Sequence, residues 1–422
     1  MIVPLAALPF LLIPYDSLTY LLGLDPGETS QTLPATAAFS LVYLVLRRGR
    51  LRFTPTGTQV FRHLSAAAFC VAFVTICNIV AENFGIVGID ESMRAPTALR
   101  QAVSLALGFA TFLMFQDAMV RIGWRQACRW IVLGGLPSLT LCGLQIAQGN
   151  FRIQGFSAEP SLLGDMLVFA FLPGCAFASM KLRHRVLLMT AGAFSLLASF
   201  SGTGIMKAAF AGLSYSVVRG QIVRGMILVV CALSLTYGIL LLYPDNYIFM
   251  LFDLFKSFLE SGTLVGGSFI DRFFGFAAPV GMLTHPHGWL GFGLGGDTVY
   301  FDRIFDEETA AAIRLEKNAI ASISSLQAKM LLYGGVLGYG FYLAAWWTAW
   351  RTTPKAHPAR FMLPTAFAAS VFSLGPFFLP YIWLWLAFGA TAHDRRTHAD
   401  PEDLELADRA SVGGEESKSS PI

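Results

Sequence analysis

The sequence predicts an all-α integral membrane protein, a polytopic bundle of about 12 transmembrane helices with one large periplasmic loop. Of the 422 residues, 55% are hydrophobic and 14% are charged, whereas a soluble domain carries about 25% charged residues. The mean hydropathy is +0.58, and apolar runs near the ~20 residues that cross a bilayer recur along the chain. A water-soluble core cannot hide so much apolar surface, so we expect lipid to be the solvent.

Charged or polar breaks divide the apolar residues into successive predicted spans. The second, seventh and eighth are short, and the last two are divided at Gly375-Pro376. The first is expected to be a retained helix, because Met1–Leu24 has neither a basic n-region nor a cleavage site. The predicted spans cover residues 2–24, 33–47, 63–84, 97–119, 129–148, 160–180, 185–202, 204–219, 225–243, 325–350, 360–376 and 377–393.

Every second connection between these spans is basic. Because cytoplasmic connections are enriched in lysine and arginine, the pattern predicts that both termini are cytoplasmic. Residues 244–324, between the ninth and tenth spans, then form a large outer loop. The basic residues in the alternate connections are Arg47, Arg48, Arg50, Arg52, Arg121, Arg125, Arg129, Lys181, Arg183, Arg185, Arg219, Arg224, Arg351, Lys355, Arg360, Arg395 and Arg396.

The predicted spans and basic connections divide the chain into two parts. Residues 1–393 form a polytopic membrane domain that includes the loop, and residues 394–422 form a polar, disordered cytoplasmic tail. Within the loop, Tyr247–Glu260 has the pattern of an amphipathic helix lying in the membrane interface. The six cysteines lie in or beside apolar runs without ligand spacing, which favours structural roles. The basic residues are scattered over many short loops, so no nucleic-acid partner is expected.

Three polar constellations fall on the predicted outer face. The first is the loop that enters the sixth span, where Arg152 and Glu159 lie at a membrane boundary. Charges there are costly unless they are paired or used. The planar fork of Arg152 suits diphosphate oxygens. The alternative is an interfacial arginine with a structural ion pair.

The second constellation is Ser199-Phe-Ser-Gly-Thr-Gly204, which ends an apolar run and is followed by Lys207. Ser201 and Thr203 are its small hydroxylated residues. They are compatible with close helix packing, or with an unwound backbone whose N–H groups bind an anion.

The third constellation lies in the large loop, where Asp271 and Arg272 precede a His-Pro-His motif and a glycine-rich turn ending at Gly296. Arg272 is a second candidate diphosphate ligand. His285 or His287 could act as a general base toward a sugar hydroxyl. No third metal ligand stands at a recognisable spacing, so no metal site is expected. A nucleotide loop is not expected either, because no strand precedes the glycines and no Gly-Lys-Ser/Thr follows them.

In this order the motifs resemble the O-antigen polymerase and ligase superfamily. The similarity covers residues from about 150 to 345, beginning with an Arg–Gly–Glu-Pro-Ser loop. It continues with the Ser-x-Ser-Gly-Thr-Gly motif and with Arg272 and the His-Pro…Gly-x-Gly turn that open the large loop. The residues of the first motif are Arg152, Gly155, Glu159, Pro160 and Ser161.

The resemblance implies an inverting, metal-independent membrane glycosyltransferase without a cofactor, in the inner membrane of a bacterium. Its substrate would be an undecaprenyl-diphosphate-linked oligosaccharide, and a chain-length regulator (copolymerase) would be a further partner. Arg152 and Arg272 would hold the diphosphate. Asp271 or Glu159 would orient these arginines, and Ser201, Thr203 and Lys207 would support the site.

One departure from the superfamily favours a Wzy-type polymerase of exopolysaccharide or capsule. The ligases place a catalytic histidine about eleven residues before a Gly-x-x-Gly, and here Gly335 and Gly338 put Ser324 and Ser325 at that place. Serine cannot act as the general base in that role. His285, His287 and Glu159 remain the candidate bases. The alternatives are a ligase-type glycan transferase and a flippase or transporter of the same lipid-linked oligosaccharide.

Overall fold

The structure, a computed structural model, describes residues 4–15, 34–83, 94–150, 153–157, 159–199, 201–221, 288–296, 325–373 and 377–393, with residues 223, 225–227, 230 and 234. Within these ranges the chain is mostly helical and has no β-strand. A 3₁₀ turn covers Gly288–Leu290. The α-helices described are α1 (Leu8–Leu12), α2 (Ala35–Arg47), α3 (Pro55–Asn83), α4 (Arg94–Ile122), α5 (Trp124–Ala147), α6 (Pro160–Phe177), α7 (Leu182–Ala198), α8 (Gly202–Val218), α9 (Leu326–Thr352), α10 (Ala359–Phe372) and α11 (Pro380–Thr391).

Four of these helices are long and apolar enough to cross a membrane, namely α3, α4, α5 and α6. Large apolar side chains also cover the outside of the bundle, as at Phe69, Leu187 and Leu337. Such a surface suits a bilayer rather than water. The predicted helical membrane class is thereby confirmed in its coarse form. The total of about 12 spans and the large periplasmic loop stay predictions.

The helix boundaries follow the predicted spans with two clear differences. Within the described residues 4–15 of the first predicted span, 2–24, the helix covers only Leu8–Leu12. α3 begins at Pro55 rather than at residue 63, because the Thr54 side chain accepts a hydrogen bond from Gly57 N (2.9 Å) and starts the helix earlier. The ninth predicted span, the amphipathic segment Tyr247–Glu260 and the tail 394–422 lie outside the described residues, apart from residues 225–227, 230 and 234 of that span.

Several of the basic connections lie together at one end of the bundle, called here the basic end. Arg121 donates to the carbonyl of Arg50 (3.1 Å), and Arg129 donates to the carbonyl of Ser179 (3.0 Å). The ring of Trp124, at the start of α5, lies 5.1 Å from that of His357, just before α10. The opposite end, where α6, α8 and α9 begin, is called the loop end.

A buried carboxylate ties the basic end together. Asp117 on α4 is fully buried and accepts hydrogen bonds from the Tyr43 hydroxyl (2.7 Å), the backbone N–H of Arg52 (2.7 Å) and Arg121 Nε (2.8 Å). Arg47 Nε lies 3.3 Å from the same carboxylate. A buried charge needs such partners, so this group joins α2, α4 and the connection between α2 and α3.

α11 is the central helix, since every residue from Pro380 to Thr391 is buried. Its Trp385 indole donates to the carbonyl of Phe169 (2.9 Å), within the π-helical segment Leu167–Phe171 of α6. Pro173, one turn further on, has no N–H to offer that carbonyl. The indole therefore supplies a donor to a carbonyl that cannot receive its α-helical hydrogen bond.

Candidate functional site

The loop that enters α6 is held by hydrogen bonds to α5. Gln145 Oε1 accepts from the backbone N–H groups of Gln154 (3.1 Å) and Gly155 (3.0 Å). Ser138 Oγ accepts from the N–H of Phe156 (3.4 Å). Residues 153–157 of the predicted Arg–Gly–Glu-Pro-Ser loop are thus fixed to α5 at the loop end.

Glu159 lies at the N-cap position of α6, and its side chain is exposed. Ser161 Oγ donates to Glu159 Oε2 (3.0 Å). Negative charge at a helix N-terminus is favoured by the helix dipole. Glu159 is therefore accessible from solvent at the loop end, which is compatible with a role as base or as a partner for a cation.

The second predicted motif packs against α6, the helix that follows the first motif. A Cβ added to Gly164 would lie 2.9 Å from the Cα of Gly204, so the two backbones touch at a pair of glycines. Ser201 is the N-cap of α8 and accepts from the N–H of Gly204 (3.1 Å), and its oxygen lies 3.1 Å from Thr203 Oγ1. Ser201 and Thr203 are buried, and they shape a close helix contact.

The same contact contains an ion pair inside the bundle. Lys207 on α8, only 2% exposed, donates to Asp165 Oδ1 on α6, which is buried as well. Lys207 was among the predicted supporting residues, but Asp165 was missed. The sequence does point to Asp165, because it is the one acidic residue in the predicted span 160–180. A charge inside a membrane span is energetically costly unless it is paired.

The glycine-rich turn of the large loop packs against a break in α9. Gly335 adopts φ +63° and ψ −169°, a conformation that is essentially restricted to glycine. Just before the break, the carbonyls of Leu332 and Tyr333 accept from the N–H groups of Phe292 (2.7 Å) and Gly293 (3.2 Å). The turn thus supplies N–H donors at a point where α9 cannot continue its own backbone hydrogen bonds.

The turn is held on its other side by α3. Leu294 N donates to Thr75 Oγ1 (2.8 Å). The turn therefore joins α3 and α9 at the loop end, and it follows directly on the His-Pro-His motif in the sequence.

Ser325 is the N-cap of α9, and it is buried. Its hydroxyl accepts from the N–H of Ala328 (3.2 Å) and donates to the carbonyl of Ser370 (3.1 Å). The hydrogen bond to Ala328 is that of a helix N-cap. Ser324, the other serine of the expected position, lies outside the described residues.

The other predicted site residues lie outside the described residues. They are Arg152, Asp271, Arg272, His285 and His287. Their roles stay predictions. In the ranges that the structure does describe, no three His, Cys, Asp or Glu side chains are grouped as a metal site would need.

Comparisons with known proteins found no relative of this chain: no family model, no curated protein and no solved structure matches it.

Proposed function

We propose that this protein is a polysaccharide polymerase of the bacterial inner membrane. In this proposal it joins undecaprenyl-diphosphate-linked repeat units at the periplasmic face by inverting, metal-independent glycosyl transfer. Its partners would be the lipid-linked oligosaccharide, the bilayer and a chain-length regulator. The proposal takes the loop end as the periplasmic side and the basic end as the cytoplasmic side.

One observation carries the proposal. The Glu-Pro-Ser loop leads into α6, and Gly164 of α6 packs against Gly204 of the Ser-x-Ser-Gly-Thr-Gly motif, although the two segments are separated in the sequence. The described turn of the large loop lies at the same end of the bundle, at the break before Val336. The described parts of these three motifs therefore lie at one end of the fold, which supports the proposal.

The proposed reaction is a substitution at the anomeric carbon of the growing glycan. A hydroxyl oxygen of the next repeat unit forms the new bond to this carbon, while the bond from the carbon to the diphosphate oxygen breaks. The lipid diphosphate leaves with the electron pair, and the hydroxyl proton passes to a base. Glu159, His285 and His287 are the candidates for that base.

Negative charge grows on the diphosphate as it departs. Arg152 and Arg272 are proposed to stabilise this charge, since arginine binds phosphate oxygens in a bidentate manner. Asp271 or Glu159 would orient the guanidinium groups. The exposed position of Glu159 beside the α6 N-terminus supports this part of the proposal.

The first prediction concerns Arg272 in a strain that lacks the native gene. Arg272→Ala should abolish long-chain polymer and leave single repeat units on the carrier, because the leaving diphosphate loses its counter-charge. Arg303→Ala, in the same loop, is the matched control and should give a normal ladder. The readout is the glycan chain-length distribution on a gel, with membrane insertion checked by immunoblot. A normal ladder from inserted Arg272→Ala protein would contradict the assignment.

A second function is favoured by the buried Asp165–Lys207 pair, because ionisable residues inside a helix bundle are typical of transporters. The transporter would flip the same lipid-linked oligosaccharide. Deleting the gene distinguishes the candidates. Loss of all surface glycan indicates flipping, capped single units indicate polymerisation, and full-length glycan that stays on the carrier indicates a ligase.

A further inference from the structure

A deep apolar groove lies between α3 and α9 on the outside of the bundle. Its volume is about 920 Å³, near the upper limit of the 300–1,000 Å³ that is typical of ligand pockets. One wall carries Phe69 and Phe73 of α3, and the other carries Leu337 and Phe341 of α9. In the lining that the structure describes, His63 and Cys70 are the only titratable residues. The walls therefore suit hydrocarbon.

The groove has two different ends. Its loop-side end is closed by Trp289 and Leu290, which belong to the docked turn of the large loop. Its other end lies near His63 on α3. The helical rise of ~1.5 Å per residue places Val74 about 16 Å from His63, roughly half of the ~30 Å hydrocarbon core. The groove therefore runs inward from the loop turn and stops short of the basic end.

The groove opens sideways, toward the surface that faces lipid. Phe69 is 71% exposed and Leu337 is 67% exposed, although both line the groove. Gly340 forms part of its floor, and no atom lies within 4 Å of the place where its Cβ would be. A chain can thus enter from the bilayer without first passing through water.

We propose that this groove binds the polyisoprenyl tail of the lipid-linked substrate, with the diphosphate end toward the large loop. The inference rests on the proposed function for the identity of the lipid. The position of the groove supports the orientation, because Thr284–His287 immediately precede the turn that closes it. In the sequence, the same predicted loop carries Arg272, His285 and His287, which are proposed above to act on that head group.

The lining favours a tail over a head group. A diphosphate or a sugar would need donors, whereas this lining is almost wholly apolar, so a head group would lose its hydrogen bonds to water there. A hydrocarbon chain loses nothing of that kind. The rival occupant is an ordinary membrane phospholipid, and the experiment separates the two.

The test uses the full chain in phosphatidylglycerol nanodiscs with an undecaprenyl diphosphate probe that carries a diazirine in its tail. After irradiation, peptides that contain residues 63–74 and 334–344 should be labelled. Excess undecaprenyl diphosphate should reduce this labelling about tenfold, as for competition at one site, whereas extra phosphatidylglycerol should not. Labelling is read by mass spectrometry.

A matched pair of variants tests the location. Gly340→Phe fills the groove, whereas Gly143→Phe places the same ring on α5, where no atom lies within 4 Å of the added Cβ either. Gly340→Phe should lower the competed labelling about tenfold, and Gly143→Phe should leave it unchanged. Equal melting temperatures in detergent show that both variants fold.

Two outcomes overturn the inference. Equal labelling of these peptides by a diazirine phosphatidylglycerol, without competition by undecaprenyl diphosphate, would assign the groove to bilayer lipid. Unchanged labelling of Gly340→Phe would place the tail elsewhere. Both results leave the proposed polymerase activity intact, since labelling is measured without turnover. Conversely, competed labelling of a protein whose deletion leaves polymer length normal would refute the polymerase and keep the groove.

Discussion

Lys207 shows how a single charge inside the bundle is accommodated. The ammonium group is almost fully buried, and it donates to Asp165 on the neighbouring helix. Both charges have lost water, so neither is stable without the other. The glycine contact between Gly164 and Gly204 lies close by in sequence and brings α6 and α8 near enough for the pair to form.

We predict that Lys207→Met lowers the free energy of unfolding by about 3–5 kcal/mol, because the buried Asp165 carboxylate loses the ammonium group that donates to it. The double variant Asp165→Leu/Lys207→Met should recover most of this loss and should restore polymer. Thermal unfolding in detergent and glycan chain length are the two measurements. Lys181→Met, which removes an exposed lysine, is the control and should change neither.

The double variant also separates two roles for Lys207. Recovery of both stability and polymer means that the pair only holds α6 to α8. A double variant that is stable and makes no polymer would contradict this expectation, and would show that the ammonium charge acts on the substrate.

At the scale of elements, the break in α9 is what allows the glycine-rich turn at residues 288–296 to dock. Gly335 interrupts the helix, and the carbonyls of Leu332 and Tyr333 then accept from the backbone of the loop turn. An uninterrupted helix would have used these carbonyls internally. Glycine is therefore required at position 335 by the backbone conformation of the break.

We predict that Gly335→Ala lowers the free energy of unfolding by at least about 1–3 kcal/mol, the usual cost of a backbone conformation that only glycine adopts readily. The added Cβ would also contact the backbone of Leu290. Gly340→Ala, one turn further along α9 in open space, should instead raise stability by about 0.5–1 kcal/mol, as alanine does in helices.

Differential scanning fluorimetry of the two purified variants is sufficient to check this pair. Equal melting temperatures for Gly335→Ala and Gly340→Ala would mean that the loop does not depend on the break. Limited proteolysis offers a second measurement, since release of the turn around Gly291 should expose the loop to cleavage in Gly335→Ala alone.

At the scale of the whole molecule, the two ends of the bundle differ in charge and in chemistry. The basic end gathers arginines around the buried Asp117, whereas the loop end presents Glu159, the hydroxylated start of α8 and the docked turn. Such asymmetry is typical of a membrane protein with a fixed orientation. The proposed chemistry requires the loop end to face away from the cytoplasm.

We predict that a cysteine at Asn150 reacts with an impermeant maleimide added to spheroplasts, whereas a cysteine at Arg50 reacts only after the cells are opened. Both positions are exposed, and they lie at opposite ends of the bundle. The background is a chain without its native cysteines. The reverse labelling pattern would rule out a periplasmic site at the loop end.

The sequence by itself determined the helical membrane class and most helix boundaries, because charged breaks between apolar runs are local features. It also singled out Glu159, Ser201, Thr203 and Lys207. Only the tertiary structure decided that Asp165 pairs with Lys207, that Ser325 is a cap, and that the loop turn closes a groove between α3 and α9. These facts depend on which helices pack together, and a periodic apolar pattern in lipid does not specify which helix faces which neighbour.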